Sequence, residues 1–265
     1  VADGALILKF FLHTPAKVQK KKLKEAEKHP ELGWQVDHRD WAALDTLGPV
    51  LPIAERILRE TSGPGAPWTI VEATDDRYRD LTVARTILAA LTARLSDEAT
   101  NTSPTIAESA FGDFDEGANV LSGVDLSQFL DRDEYRKQLA KQQARLRRLS
   151  IEARNRGVST VLAFEGWDAA GKGGVIRRVT AALEAGDFRV IPVAAPTEEE
   201  RRYHYLWRFW RDLPPAGRFV IFDRTWYGRV LVERLEGFAT PAEWQRAFDE
   251  INDFESQLVE RGHYV

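Results

Sequence analysis

A chain of 265 residues is long enough for one large domain or two modest ones, each with a real core. Hydrophobic content of 43% against 29% charged residues suits a soluble globular protein, and no stretch approaches the roughly 18 apolar residues of a membrane span. A net charge of −4 argues against a general nucleic-acid binder, while the lack of cysteine and of a basic-then-apolar leader fits a cytoplasmic chain without disulfide or thiolate chemistry. The absence of methionine makes the sequence read as a window of a longer protein.

Ala5-Leu6-Ile7-Leu8-Lys9-Phe10-Phe11-Leu12 is a short apolar run rich in β-formers and predicts a buried strand. Residues 15–29 follow with helical pattern, and Lys20, Lys21, Lys22, Lys24 and Lys28 make that segment strongly basic. It is a solvated face or a track for a long polyanion. Residues 39–59 carry more helical pattern, interrupted by Gly48, Pro49 and Pro52. Gly63-Pro64-Gly65-Ala66-Pro67 is a turn, and Trp68-Thr69-Ile70-Val71-Glu72-Ala73 is a second buried strand. A helix with Val83, Ile87, Leu88 and Leu91 at its apolar positions closes this segment.

Residues 96–125 are rich in Ser, Thr, Asn, Asp and Gly without periodicity, the mark of a linker or long surface loop. A basic helix is expected over 133–155, followed by the strand Ser159-Thr160-Val161-Leu162-Ala163-Phe164, which runs into a glycine-rich turn and another helix. Further strands are expected over 189–193 and 218–223, and a helix over 241–260. Strands alternating with helices predict an α/β fold with a parallel sheet and helices on both faces.

The two ends resemble each other in register. Val259-Glu260-Arg261-Gly262-His263-Tyr264-Val265 and Val1-Ala2-Asp3-Gly4-Ala5-Leu6-Ile7 share a Val, a Gly three residues on, and the entry to a strand. This suggests two partial copies of one domain. Residues 1–95 are then the C-terminal half of a first copy, 96–125 the linker, and 126–265 the N-terminal half of a second. We expect the halves in separate neighbouring domains. The alternative is that they pair across the linker into one domain, and contact of Leu8 or Phe10 with Val220 or Phe222 separates the two.

Phe164-Glu165-Gly166-Trp167-Asp168-Ala169-Ala170-Gly171-Lys172-Gly173-Gly174 carries the strongest chemical signal, a Gly-x4-Gly-Lys spacing between a strand and a helix. Its glycines let backbone N–H groups surround phosphate oxygens, and the helix N-terminus adds partial positive charge. Lys172 supplies a full charge. The Ser or Thr that usually follows the lysine and helps to hold Mg²⁺ is here Gly173, so Asp168 is the candidate ligand in its place. Its bland alternative is a loop-capping role.

Phe219-Val220-Ile221-Phe222-Asp223-Arg224-Thr225-Trp226-Tyr227-Gly228-Arg229 is the second signal: a strand ending in Asp223, a candidate second metal carboxylate. Arg224 and Arg229 can neutralise charge on a transferred phosphoryl group. Tyr203, Tyr205, Trp207, Arg208, Phe209, Trp210 and Arg211 either stack a nucleobase or pack into the core. The candidate catalytic residues are therefore Asp168, Lys172, Asp223 and Arg224. The candidate phosphate- and nucleotide-binding set is Gly166, Ala169, Ala170, Gly171, Gly173, Gly174, Arg178, Arg208 and Arg229.

These segments, with Ala195-Pro196-Thr197-Glu198-Glu199-Glu200, resemble the polyphosphate kinase 2 family, most closely its two-domain polyphosphate:AMP phosphotransferases. The first segment is similar too, through Lys9-Phe10-Phe11-Leu12-His13, Arg39-Asp40-Trp41, Ala66-Pro67-Trp68 and Arg77-Tyr78-Arg79. The resemblance implies a P-loop kinase fold with a mobile lid over a polyphosphate channel. It also implies Mg²⁺-dependent phosphoryl transfer between polyphosphate and a nucleotide, with AMP to ADP favoured. By the same resemblance Asp168 and Asp223 are the metal and catalytic carboxylates, and Lys172, Arg224 and Arg229 the phosphate ligands. The expected partners are inorganic polyphosphate and a nucleoside mono- or diphosphate, with no nucleic acid or membrane, in a homo-oligomer. Two other readings stay open: an ATP-dependent nucleotide kinase of P-loop fold, and a noncatalytic phosphate-binding module.

Overall fold

The structure is a computed structural model that describes residues 4–28, 41, 44, 47–63, 65–96, 120–167 and 169–260. Its strands are β1 (Leu6–His13), β2 (Trp68–Glu72), β3 (Thr160–Gly166), β4 (Phe188–Pro192) and β5 (Phe219–Asp223). They form one sheet in the order β2-β1-β3-β5-β4, with every neighbouring pair parallel. A parallel strand covered on both faces has no solvent side to alternate toward, which explains why β1 and β3 are apolar on both faces apart from Lys9, Glu165 and the strand ends His13 and Thr160. Every residue of β1 is buried.

The helices are α1 (Ala16–Lys28), α2 (Leu47–Glu60), α3 (Asp76–Ser96), α4 (Arg132–Asn155), α5 (Lys172–Thr180), α6 (Trp207–Arg211), α7 (Val232–Leu235) and α8 (Pro241–Val259). Asp131 starts α4 by accepting the N–H groups of Asp133 at 2.8 Å and Glu134 at 3.2 Å. On α1, Lys20, Lys21, Lys24 and Lys28 face solvent, whereas Lys22 pairs with Asp76 at 3.0 Å. Arg39 and Asp40 lie outside the described residues. No helix among the described residues is long and apolar enough to cross a membrane.

The expectation of two separate domains is corrected by the sheet. β1 hydrogen-bonds directly to β3, with Leu8 opposite Leu162 and Phe10 opposite Phe164, and those two phenyl rings stack 5.1 Å apart. The strands of Leu8 and of Val220 are not side by side, since β3 lies between β1 and β5; the pairing of the two segments runs through β3 instead. The physical reason is edge closure. Alone, each segment would present a buried apolar strand with an unpaired edge, and joining β1 to β3 satisfies both rows of backbone groups. Of the expected linker, 97–119 lie outside the described residues. Its end runs as turns, but Leu121 is buried in the core, so that part is anchored to the fold.

A buried polar cluster fastens the same junction. Lys9, fully buried on β1, donates to Glu255 on α8 at 2.6 Å, to the Thr61 carbonyl at 2.6 Å and to the Tyr227 hydroxyl at 3.0 Å. Glu255 also accepts from the Tyr227 hydroxyl at 2.6 Å and the Trp226 indole at 2.9 Å. Burial pulls the Lys9 ammonium below its usual pKa, and Glu255 works against that shift.

Candidate active site

The phosphate loop joins the end of β3 at Gly166 to the start of α5 at Lys172. Two of its glycines are dictated by close approach. Gly166 has φ 136°, and a Cβ there would fall 2.4 Å from the Leu12 carbonyl oxygen on β1. Gly171 has φ 90°, and a Cβ there would meet Nη1 of Arg79 at 1.7 Å. Arg79 comes that near because its guanidinium donates to the Ala170 carbonyl at 3.1 Å while pairing with Asp76 and Asp80, each at 2.7 Å. The Trp167 indole donates to His13 Nδ1 at 3.2 Å and packs edge-on against Phe11. Burial lowers the His13 pKa, which favours the neutral ring that the indole bond requires.

Lys172 curls back over the loop, donating to the carbonyls of Gly166 at 2.9 Å and Trp167 at 3.1 Å. Across from it, β5 ends in Asp223, and Arg224 turns into the left-handed region at φ 86° with its N–H bonded to the Phe164 carbonyl at 3.1 Å. Thr225 then donates both its N–H, at 2.6 Å, and its hydroxyl, at 2.9 Å, to Oε1 of Glu165. Burial raises the Glu165 pKa. The Thr225 N–H, the Lys172 charge, the Thr225 hydroxyl and the Arg224 charge oppose that shift.

The result is an open cleft of about 580 Å³ at the C-terminal edge of the sheet, where parallel α/β folds bind ligands. Ala169, Gly171, Lys172, Gly173, Asp223 and Arg224 line it together with residues 192–194. Asp168 lies outside the described residues. Ala170 is buried behind the loop, and Gly174 sits beneath Arg79. Arg178 pairs with Asp80 at 3.0 Å, donates to the Tyr135 hydroxyl at 3.3 Å and reaches the Gly174 carbonyl at 3.1 Å.

Arg208 and Arg229 line a neighbouring cavity of about 380 Å³, with Tyr203, Tyr205, Glu200 and Glu233 on its walls. Arg229 pairs with Glu233 at 3.1 Å and lies 4.5 Å over the Tyr205 ring. Arg208 donates to the Ala194 carbonyl at 3.0 Å, where the two spaces adjoin. The aromatic segment thus divides. Phe209 and Trp210 pack edge-on against Phe222, Trp226 and Phe254, while Tyr203 and Tyr205 face the cavity.

Sequence reasoning assigns no role to Glu165, Thr225, Arg79 or Lys9. A signal exists for two of them: Glu165 and Lys9 are charged residues inside otherwise apolar strands, which calls for a buried partner. Nothing in the local pattern marks Arg79 as the residue that closes over the loop.

The sequence profile of the polyphosphate kinase 2 family matches residues 1–99 and 129–265. A polyphosphate:AMP phosphotransferase of Pseudomonas aeruginosa is 49% identical over 263 residues, covering 99% of this chain and 53% of that protein. ADP-polyphosphate phosphotransferase 3 of Rhizobium meliloti is 41% identical over 128 residues, covering 48% of this chain and 45% of its own. A crystal structure from Pseudomonas aeruginosa PA01 assigned to polyphosphate kinase 2 superposes with a TM-score of 0.52 at 46% identity, covering 96% of this chain and 47% of that one. The chain spans about half the length of the most similar of these relatives. With the family matched on both sides of the central segment, and the glycine-rich loop inside the second matched block, this chain belongs to the polyphosphate kinase 2 family.

Proposed function

We propose that the site carries out Mg²⁺-dependent phosphoryl transfer between inorganic polyphosphate and a nucleotide, with AMP converted to ADP. The observation that carries this reading is the convergence of Lys172, Asp223 and Arg224 on one cleft beside a glycine-rich helix N-terminus. Transfer of this kind asks little covalent chemistry of the protein, only positioning and charge stabilisation. Loop N–H groups and Lys172 hold phosphate oxygens, and Arg224 stabilises charge on the group in transit. The neighbouring cavity, with Tyr203, Tyr205, Arg208 and Arg229 on its walls, takes the nucleotide.

The donor set suits a hard divalent cation held by one or two carboxylates and substrate phosphates, since Asp223 faces the cleft beside Lys172. Asp168 is the second carboxylate of this proposal and stands in for the hydroxyl that Gly173 lacks. When bound, the cation neutralises charge on the phosphoryl oxygens. We read residues 1–95 and 126–265 as the back and front halves of successive family copies joined by 96–125. Support comes from the two blocks of the family match and from the half-length coverage of the relatives. A cytoplasmic homo-oligomer completes the proposal.

In the full-length protein, polyphosphate with AMP and Mg²⁺ yields ADP. Lys172→Ala, Asp168→Asn and Asp223→Asn each lower turnover by about 10²-fold or more with the fold retained. If ATP serves as donor as well as polyphosphate does, the reading as a general nucleotide kinase replaces this one. Near-normal activity in Asp168→Asn sinks its role as metal ligand.

A further inference from the structure

We propose that Glu165 is a positioning residue that sets Arg224 and Asp223 against the phosphate loop; this rests on the reading of the cleft as a phosphoryl-transfer site. Glu165 is 5% exposed and sits one residue before the loop begins, on β3. A carboxylate buried there is costly unless fixed donors surround it. It is met by two donors of a single residue, the N–H and the hydroxyl of Thr225. Both bonds run from the residue after Arg224 to the last residue before the loop, so the carboxylate ties the end of β3 to the end of β5.

The geometry explains what that junction does. Arg224 adopts φ 86°, a left-handed conformation that side-chain-bearing residues avoid at a cost of roughly 1 kcal/mol or more. Such a turn persists only when its surroundings hold it on both sides. Phe164 takes the N–H of Arg224, and Glu165 takes the N–H of the next residue, so two consecutive positions of β3 clamp the turn. The clamp extends one step further, because the Thr225 oxygen also accepts the Tyr227 N–H at 3.3 Å and starts the short helix Trp226–Arg229. Turning at Arg224 places it and Asp223 on the wall of the cleft that Lys172 also lines. The charges of Lys172 and Arg224 lie close enough to favour the ionised carboxylate against its burial. One buried group therefore registers the strand that leads into the loop with the strand that carries Asp223.

The test is a double-mutant cycle in the full-length protein with polyphosphate, AMP and Mg²⁺. Glu165→Ala lowers kcat by about 10²-fold, the scale of an ångström-sized misplacement, and leaves KM for AMP within about threefold. Glu165→Gln keeps an acceptor oxygen of the same reach and restores most of that loss. Arg224→Ala combined with Glu165→Ala is slower than Arg224→Ala alone by far less than about 10²-fold, because one of the two groups that the second change displaces is already removed. If Glu165→Ala does not fold, Thr225→Val, which deletes one of the two bonds, takes its place in the same cycle. An unchanged kcat, or losses that multiply in the double variant, overturns the proposal. If the wild type makes no ADP from polyphosphate, it is the proposed function that fails. The cycle is then read on tripolyphosphate affinity by calorimetry, where non-additive losses still support the positioning role and multiplicative losses still overturn it.

Discussion

The segments 4–96 and 120–260 contribute unequally to the site. The second holds every described residue that lines the cleft: Ala169 and residues 171–173 of the loop and helix start, residues 192–194, Asp223 and Arg224. The first holds none of these, yet it shapes the loop from behind. Leu12 and Arg79 come so close to Gly166 and Gly171 that no side chain fits, and His13 anchors Trp167. Lys9 fastens Tyr227 and Glu255 at the far end of the same junction. A segment can therefore govern a site to which it gives no lining residue, through sheet pairing and backbone approach.

The largest expected effect comes from breaking the buried junction. Glu255→Ala strands the Lys9 charge and leaves the Tyr227 hydroxyl and Trp226 indole without their acceptor, which costs about 3–5 kcal/mol in urea unfolding. Replacing both partners, as Lys9→Met with Glu255→Leu, costs much less, because apolar residues of similar volume often match a buried ion pair. Equal losses in the single and double variants would show that the pair does not act as a unit.

A smaller effect separates two glycines of the same loop. Gly171→Ala forces Arg79 aside and strains a positive φ, at about 1–3 kcal/mol in thermal unfolding. A methyl group on Gly173 would meet no atom within 4 Å, so Gly173→Ala changes stability by no more than about 0.5 kcal/mol. Matching values for the two would mean that Arg79 does not constrain the loop.

Much of the fold and the site is legible in the sequence where the signal is local. The run from Leu6 to Leu12 marks a strand by its own composition, and Gly166, Gly171 and Lys172 mark a phosphate loop by spacing. Asp223 and Arg224 stand out because a strand of four apolar residues ends on them. Pairing between segments leaves no such trace. Nothing in β1 names β3 as its neighbour, since parallel strands buried on both faces carry the same apolar pattern whichever partner they take. Glu165 and Arg79 escape notice for a related reason: their roles depend on residues 60 and 91 positions away. Nearness to the loop in sequence marks Arg178, but does not show that its guanidinium bonds to Asp80 and Tyr135 as well as to the Gly174 carbonyl.

The claim that both segments build one fold is tested most directly by proximity across α3 and α4. Arg85 on α3 donates to the Gln138 side chain on α4, and Arg145 donates to Thr92 at 3.2 Å further along the same pair. With Arg85→Cys and Gln138→Cys in an otherwise cysteine-free background, a short bis-maleimide at low protein concentration should link the two sites within one chain. The linked protein should then run as a compact monomer under denaturing electrophoresis. Free thiols throughout, or links formed only between chains, would contradict a single sheet running from β2 to β4.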